Sequence, residues 1–190
     1  MKIYISPARH PDGQNLDVHG RSERDRMAVI GGKFYEQLAA NGFTDLMIND
    51  DKSLADAVAE SNTWGADLHI ALHSNASNGL QSGMEAWIYR DNLRMEVLAR
   101  HLMSALTRAL QTRIRNGSRG WAKRSRIDPP WVRPRFAMGM YEVERTKGDA
   151  ILLELYFHDN LHDCATWKKN EDRAVAAMAQ VIAEYAGRSE

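Results

Sequence analysis

The sequence predicts an α/β fold, with a single twisted and mostly parallel β-sheet and helices on both of its faces. For most of the chain, short apolar segments with the two-residue period of strands alternate with segments whose apolar residues recur every three or four positions. Two of the strand-like segments, 66–73 and 150–157, end abruptly in polar residues, which indicates loops that leave the sheet. The 190 residues are enough for a substantial core, so we expect a single domain over 1–190.

The composition excludes several classes of protein. Lysine and arginine together number 25, as do aspartate and glutamate, so the formal net charge is zero and nothing indicates nucleic acid or an anionic membrane as a partner. Cys164 is the single cysteine, which rules out an internal disulfide. The N-terminus lacks the pattern of a secretory signal, and no window is apolar enough to span a bilayer. We therefore expect synthesis in the cytoplasm without a signal peptide and without membrane insertion.

The elements of the first half follow from capping residues, turn residues and apolar periodicity. Ser22 has the position of a helix N-cap, and Asn41-Gly42 has that of the stop of the same helix. Ser53 and Asp56 form a capping box for the next helix. The predicted order is a strand at 3–5, a helix from 22 to the stop at 41, a strand at 43–48, a helix from 53 to about 64 and the central strand at 66–73.

The second half contains the longest amphipathic pattern of the chain, at 93–113. It also contains an irregular segment, 115–135, which is rich in arginine and lysine. The predicted order is a loop at 74–82, a strand at 84–89, the helix at 93–113, the irregular segment, a candidate strand at 138–143, a strand at 150–157 and a closing helix at 171–187.

Trp121 and Trp131 lie among the basic residues of the irregular segment. Arginine mixed with tryptophan suits RNA, which the neutral charge of the chain disfavours. A groove for a carboxylated, sugar-bearing polymer fits as well, through arginine–carboxylate pairs and ring stacking.

Two residues are unusual for the strands in which they lie. His73 stands at the C-terminal end of the central strand, and this edge of an α/β sheet is where ligands bind. Glu154 is a lone carboxylate among apolar and aromatic neighbours, which is costly unless it is paired, bound to a metal or protonated. Two such residues in one chain predict a functional site.

His10, Glu23 and His73 together supply two imidazoles and one carboxylate, a set that holds a catalytic Zn²⁺ while leaving a position for water. Each lies at a strand end or a helix start, so the three can meet at one edge of a sheet. Spacing alone leaves alternatives open: His19 competes with His10, Glu23 suits the helix dipole in any case, and His73 could be an ordinary hydrogen-bonded histidine. His69, on the same side of the strand as His73 but deeper, is interpreted as structural.

Six segments of the chain match motifs of one known family. They are Tyr4-Ile5-Ser6-Pro7 with His10, Glu23 with Met27, Ala66-Asp67-Leu68-His69-Ile70-Ala71-Leu72-His73-Ser74-Asn75-Ala76, Gly83-Met84-Glu85-Ala86-Trp87-Ile88-Tyr89, Arg119-Gly120 and Leu152-Leu153-Glu154-Leu155-Tyr156-Phe157-His158-Asp159-Asn160. In these segments the chain resembles the zinc-dependent N-acetylmuramoyl-L-alanine amidases, the family of bacterial wall-remodelling amidases and phage endolysin catalytic domains. The resemblance runs from about residue 2 to residue 186.

The resemblance implies a fold and a set of site residues. The fold is an α/β domain of the amidase/phosphorylase–hydrolase type. Position by position, the resemblance implies His10, Glu23 and His73 as the Zn²⁺ ligands and Glu154 as the catalytic carboxylate.

Asn75, Arg119 and His158 are further candidates, for substrate binding, although hydrogen bonding at loops and strand ends would explain each of them equally well. The chain departs from the family where Arg9 and Pro11 flank His10 in place of glycines. The segment 121–136 is also longer and more basic than in the family.

The implied reaction is hydrolysis of the amide between N-acetylmuramic acid and L-alanine in peptidoglycan, which is then the partner. Zn²⁺ lowers the pKa of its bound water from about 16 toward 7. Glu154, with its pKa raised by apolar neighbours, would take the proton of the water and deliver it to the leaving amine.

The expected setting is a catalytic domain without a separate wall-binding domain, acting at the cell wall as a lytic endolysin after holin-type release. A mother-cell lytic amidase would look the same. Two other functions stay open: a zinc peptidase or deacetylase acting on another bond of peptidoglycan, and a metal-free wall-binding module that uses Trp121 and Trp131. The sequence predicts no particular oligomeric state.

Overall fold

A five-stranded sheet forms the centre of the protein. The computed structural model describes residues 1–11, 13–89, 92–111 and 140–187. The strands lie in the order β2-β1-β3-β5-β4; all neighbours are parallel except β4 and β5, which are antiparallel. Their bounds are β1 Ile3–Pro7, β2 Leu46–Ile48, β3 Leu68–Asn75, β4 Glu85–Ile88 and β5 Asp149–Phe157. The predicted mostly parallel α/β sheet is confirmed.

Helices cover both faces of this sheet. Their bounds are α1 Glu23–Ala40, α2 Leu54–Trp64, α3 Leu93–Leu110, α4 Tyr141–Arg145 and α5 Leu161–Gly187. Buried residues of α1, α3 and α5 share one large core with the sheet, whereas α2 packs with Tyr4 and Ala66, and α4 packs with Ala71 and Leu152 on the other face. None of the described helices is long and apolar enough to cross a membrane.

The predicted caps begin the first two helices and end the first of them. The Ser22 side chain accepts a hydrogen bond from the backbone N–H of Asp25 at 3.1 Å, and Asn41 ends α1. Ser53 accepts from the backbone N–H of Asp56 at 3.2 Å. The first of these caps fixes where α1 starts, and therefore where Glu23 lies.

Alternation along β3 sends its two sets of side chains to opposite faces. Leu68, Ile70 and Leu72 lie in the large core, whereas Ala71 lies in the smaller cluster beside α4. His73 shares the face of Ala71, since side chains two apart on a strand point the same way. The apolar positions of β3 thereby place His73 on the face that α4 covers.

Three predicted elements are wrong in type or extent. The strand predicted at 43–48 begins only at Leu46. The described part of the candidate strand at 138–143, residues 140–143, is not a strand, because residues 141–145 are the helix α4, whose Val143 is buried against Ala71 and Leu152. Short apolar runs fit either a strand or a helix, and here packing decides. The closing helix begins at Leu161 rather than at 171, because Asn160 accepts a hydrogen bond from the backbone N–H of Asp163 at 3.0 Å and caps it earlier.

The adjacent glycines 31 and 32 of α1 provide a matched test of how closely this helix approaches the sheet. A Cβ at Gly31 would lie 2.8 Å from Cγ of Pro7 and 3.1 Å from Cδ1 of Ile48, whereas a Cβ at Gly32 meets nothing within 4 Å. Gly32→Ala should raise the free energy of unfolding by about 0.5–1 kcal/mol, the usual gain in a helix. Gly31→Ala should lower it by about 1 kcal/mol, because overpacking outweighs the same gain. Urea denaturation measures both, and a shift of the two variants in the same direction would contradict the packing described here.

Candidate metal and catalytic site

His10, Glu23 and His73 come together at the C-terminal edge of the parallel strands. Nε2 of His10 lies 3.0 Å from one carboxylate oxygen of Glu23, and Nδ1 of His73 lies 3.3 Å from the other. One nitrogen or oxygen from each residue falls within 4.8 Å of the others. Ligand atoms of a tetrahedral zinc ion, at about 2.0–2.1 Å from the metal, are separated by about 3.4 Å. The donor set and its spacing therefore fit Zn²⁺.

Three different elements bring these side chains to one place. His10 lies in the loop after β1, Glu23 is the first residue of α1, and His73 lies near the end of β3. Glu23 is buried and fixed by two further donors: the backbone N–H of Ser74 at 2.8 Å and the side-chain amide of Asn15 at 3.1 Å. The carboxylate is thus held in place by the protein itself.

The pKa values of Glu23 and His73 are shifted by hydrogen bonds between the imidazoles and the carboxylates of the site. Burial would raise the pKa of Glu23, but hydrogen bonds from His10 and His73 hold it far below its usual range. Burial would lower the pKa of His73, but hydrogen bonds to Glu142 and Glu23 outweigh that effect and raise it to about 10. In the metal-free protein, an imidazolium therefore lies between two carboxylates.

Glu154 lies beside His73 on the neighbouring strand. The two residues are direct partners in the register of β3 and β5, and Glu154 is also the register partner of Glu85 on β4. Its Oε2 atom is buried and has no hydrogen-bond partner within the described part of the chain. Burial raises the pKa of Glu154 to about 7; the positive charge of His73 opposes this shift, and the negative charges of Glu23 and Glu85 add to it. A carboxyl group that titrates near neutral pH can both take up and release a proton.

Glu142 also belongs to this site, although the sequence does not indicate it. It lies on α4, is 2% exposed, and its Oε2 is 3.1 Å from Nε2 of His73. Burial would raise its pKa, but hydrogen bonds from His69 and His73 hold it far below the usual range. Because its partners lie 69 and 73 residues away in the sequence, no local pattern could have indicated it.

The candidates for substrate binding occupy different surroundings. Asn75 ends β3, is partly exposed, and its side-chain amide lies 3.4 Å from Oε2 of Glu85. His158 is buried, with Nδ1 2.9 Å from the hydroxyl of Ser74. Arg119 and the irregular segment at 115–135 lie outside the described residues. Asn75 therefore borders the site, His158 supports the loop behind it, and substrate binding by all three stays a prediction.

The structure also bears on His19, the alternative to His10, and on the structural role predicted for His69. Within the described part of the chain, the group of residues that could hold a metal ion includes His10 and does not include His19. His69 is fully buried, with Nδ1 3.0 Å from the hydroxyl of Ser61 and Nε2 3.3 Å from Glu142. These contacts agree with the interpretation of His69 as structural.

Comparison with known proteins identifies the class to which this fold and site belong. Residues 3–184 match the family described as N-acetylmuramoyl-L-alanine amidase. The match covers nearly the whole chain, and the protein therefore belongs to this family. A comparison with curated proteins finds no match.

Solved structures with the same fold include several amidases. An N-acetylmuramoyl-L-alanine amidase from Clostridium difficile 630 is similar with a TM-score of 0.78 and 18% identity, covering 100% of this chain and 98% of that one. The catalytic domain of CwlV, an amidase from Bacillus (Paenibacillus) polymyxa var. colistinus, gives 0.75 and 16%, covering 98% and 99%. The catalytic domain of the CD27L endolysin, which targets Clostridia difficile, gives 0.62 and 20%, covering 99% and 97%. These similarities concern the fold.

The raised pKa of Glu154 predicts how the stability of the metal-free protein depends on pH. Below the ordinary value of 4.5 both the folded and the unfolded state hold the proton, and above about 7 neither does. Between these limits only the folded state holds it, so this contribution to stability is lost as pH rises from 4.5 to 7. Relative to wild type, Glu154→Gln should therefore gain stability across this window, by about 3 kcal/mol at most.

Denaturation in the presence of a chelator, at a series of pH values, measures this difference. Glu36→Gln, which removes an exposed carboxylate of α1, is the control and should show no such trend. A stability difference between Glu154→Gln and wild type that stays constant from pH 4.5 to 7 would show that Glu154 titrates normally.

Proposed function

We propose that this protein hydrolyses the amide bond between N-acetylmuramic acid and L-alanine in peptidoglycan, and that it requires zinc. The observation that carries the proposal is the convergence of His10, Glu23 and His73, with Glu154 beside them on the next strand. Membership of the N-acetylmuramoyl-L-alanine amidase family supports the choice of bond.

His10, Glu23 and His73 are the residues that would hold the zinc ion. Bound there, zinc would supply a Lewis acid that polarises the scissile carbonyl and makes water more acidic. The three residues are suited to this because their donor atoms are already gathered and Glu23 is fixed by Ser74 and Asn15. The side chains therefore need to move little when the ion binds.

Glu154 is the proposed general base and general acid. Its Oε2, which forms no hydrogen bond with any described residue, can accept a proton from the attacking water, and the same carboxyl group can then donate that proton to the amine of L-alanine as the amide breaks. Its pKa of about 7 suits both steps, since neither protonation state is strongly favoured at neutral pH. Burial is the main cause of that pKa, so the apolar surroundings of the strand serve the reaction.

Asn75 borders the site, and Asn75, Arg119 and His158 are proposed to contribute to substrate binding. The chain is proposed to act on the cell wall through a catalytic domain that includes residues 3–184; the family match over these residues and the five-stranded sheet of the described residues support this. A lytic role, as in an endolysin, is part of the proposal and is supported by the similarity to the CD27L catalytic domain.

Glu154→Gln should abolish most of the hydrolysis. Loss of a general acid–base group typically costs about 10²- to 10⁴-fold in rate. The turbidity of purified walls and of intact cells, together with mass spectrometry of the soluble products, measures both rate and bond. Wild type should release intact stem peptides that begin with L-alanine. Glu171→Gln is the matched control, because Glu171 is a mostly buried carboxylate on α5 that pairs with Arg26 and Lys33.

Two outcomes of this assay would contradict the proposal. Near-wild-type rates for Glu154→Gln would remove Glu154 from the mechanism. Products cut within the stem peptide, or sugars that have lost only acetyl groups, would indicate a zinc peptidase or deacetylase in place of an amidase.

His73→Ala should remove zinc from the protein. Wild type is expected to bind one zinc ion per chain, and the variant is expected to lose most of it because one of three protein ligands is gone. Elemental analysis after purification and equilibrium dialysis measures the stoichiometry. His101→Ala, which changes an exposed histidine of α3, is the control and should keep the ion. Equal zinc in wild type and His73→Ala would exclude His73 as a ligand.

A further inference from the structure

The carboxylate of Glu142 is surrounded by hydrogen-bond donors. Its Oε2 lies 3.1 Å from Nε2 of His73, and its Oε1 lies 3.3 Å from Nε2 of His69. The hydroxyl of Ser6 donates to Oε1, and the guanidinium of Arg9 lies 3.8 Å from the same oxygen. An ionised carboxylate only accepts hydrogen bonds, so both imidazoles must present a proton at Nε2.

The other nitrogen of each ring agrees with this assignment. Nδ1 of His69 lies 3.0 Å from the hydroxyl of Ser61, which can donate to it. Nδ1 of His73, the second nitrogen of its ring, lies 3.3 Å from Oε1 of Glu23. Since Nε2 of His73 is occupied by its proton and by Glu142, Nδ1 is the nitrogen left to bind a metal ion.

We propose that Glu142 is a positioning residue for the metal site. It accepts the Nε2 proton of His73 and thereby fixes the tautomer and the orientation of the ring, so that Nδ1 is presented to the ion. This inference rests on the proposed function, because it assigns Glu142 a role toward the zinc that His10, Glu23 and His73 would hold. Metal-binding histidines generally donate their second N–H to such a partner.

Glu142 is itself held rigidly enough to orient a ring. Its neighbour Val143 is buried against Ala71 and Leu152, which seats the short helix α4 on the sheet. On β1, Ser6 donates to Glu142 and in turn accepts a hydrogen bond from Arg9 at 2.5 Å. The position of Glu142 is therefore set by both β1 and β3, the strands that lead to His10 and His73.

His69 fixes the second oxygen of Glu142 from the interior of the protein. Its ring stacks on the ring of Tyr4, with 5.1 Å between the ring centroids, and its Nδ1 is hydrogen-bonded to the hydroxyl of Ser61 on α2. His69 is fully buried and cannot move away without losing its hydrogen bonds to Glu142 and Ser61. The contact between Glu142 and His73 is thus part of a network that spans the sheet and two helices.

The Glu142→Gln variant tests the proposal because glutamine cannot replace the carboxylate. Its side chain has one accepting oxygen and one NH₂ donor, so it can accept from only one of the two imidazoles. If His73 meets the NH₂ group, its proton moves to Nδ1, the nitrogen that would bind zinc. The affinity for zinc should fall by about 10- to 100-fold.

Competition with a chromophoric chelator measures this affinity for the folded variant. Glu171→Gln is the matched control, since it replaces another mostly buried, ion-paired carboxylate by an amide and should change zinc affinity by less than about twofold. Thermal unfolding with a chelator present shows whether each variant is folded. Wild-type zinc affinity in folded Glu142→Gln would overturn the proposal.

A measurement on the wild-type protein keeps the proposal testable even if the variant fails to fold. Long-range ¹H–¹⁵N spectra of the zinc-loaded protein should show the His73 proton on Nε2 and the metal on Nδ1. The opposite tautomer would overturn the proposal. These outcomes are distinct from failure of the proposed function: wild type that binds no zinc would overturn both, whereas zinc bound by His73 through Nε2 would overturn only the role of Glu142.

Discussion

The register between β3 and β5 is the constraint on which the site depends. It makes His73 and Glu154 direct neighbours on one face of the sheet, while Leu72 and Leu153, the preceding pair, lie in the large core on the other face. A slip of one residue would turn one member of the pair into the core, because successive side chains of a strand point to opposite faces. The apolar packing of the sheet therefore also aligns the polar residues.

The charges around His73 show how the protein tolerates so many buried carboxylates. The carboxylates of Glu23 and Glu142 each lie within hydrogen-bonding distance of one of the two nitrogens of His73, and Glu154 lies beside His73 on the next strand. A buried carboxylate without a partner would be very costly. In the metal-free protein, the proton on His73 offsets part of this charge. A divalent cation beside Glu23 would offset this negative charge more completely.

Much of the fold could be predicted from periodicity and capping, and part of the site could be predicted from residue chemistry. His73 was recognisable because a polar tail follows its strand, and Glu154 because it is an acid within an apolar run. Glu142 could not be recognised, since its importance comes from contacts with residues far away in the sequence. The sequence pattern predicts a strand for its segment, because a single helical turn is too short for its apolar pattern to distinguish a helix from a strand.

In the proposed metal site, two imidazoles and one carboxylate from three separate elements bind one zinc ion. A crystal structure of the zinc-loaded protein, with anomalous scattering recorded at the zinc edge, would locate that ion. We expect one anomalous peak at about 2.0–2.2 Å from Nε2 of His10, a carboxylate oxygen of Glu23 and Nδ1 of His73. A peak bound by other side chains, or no peak at this edge of the sheet, would contradict it.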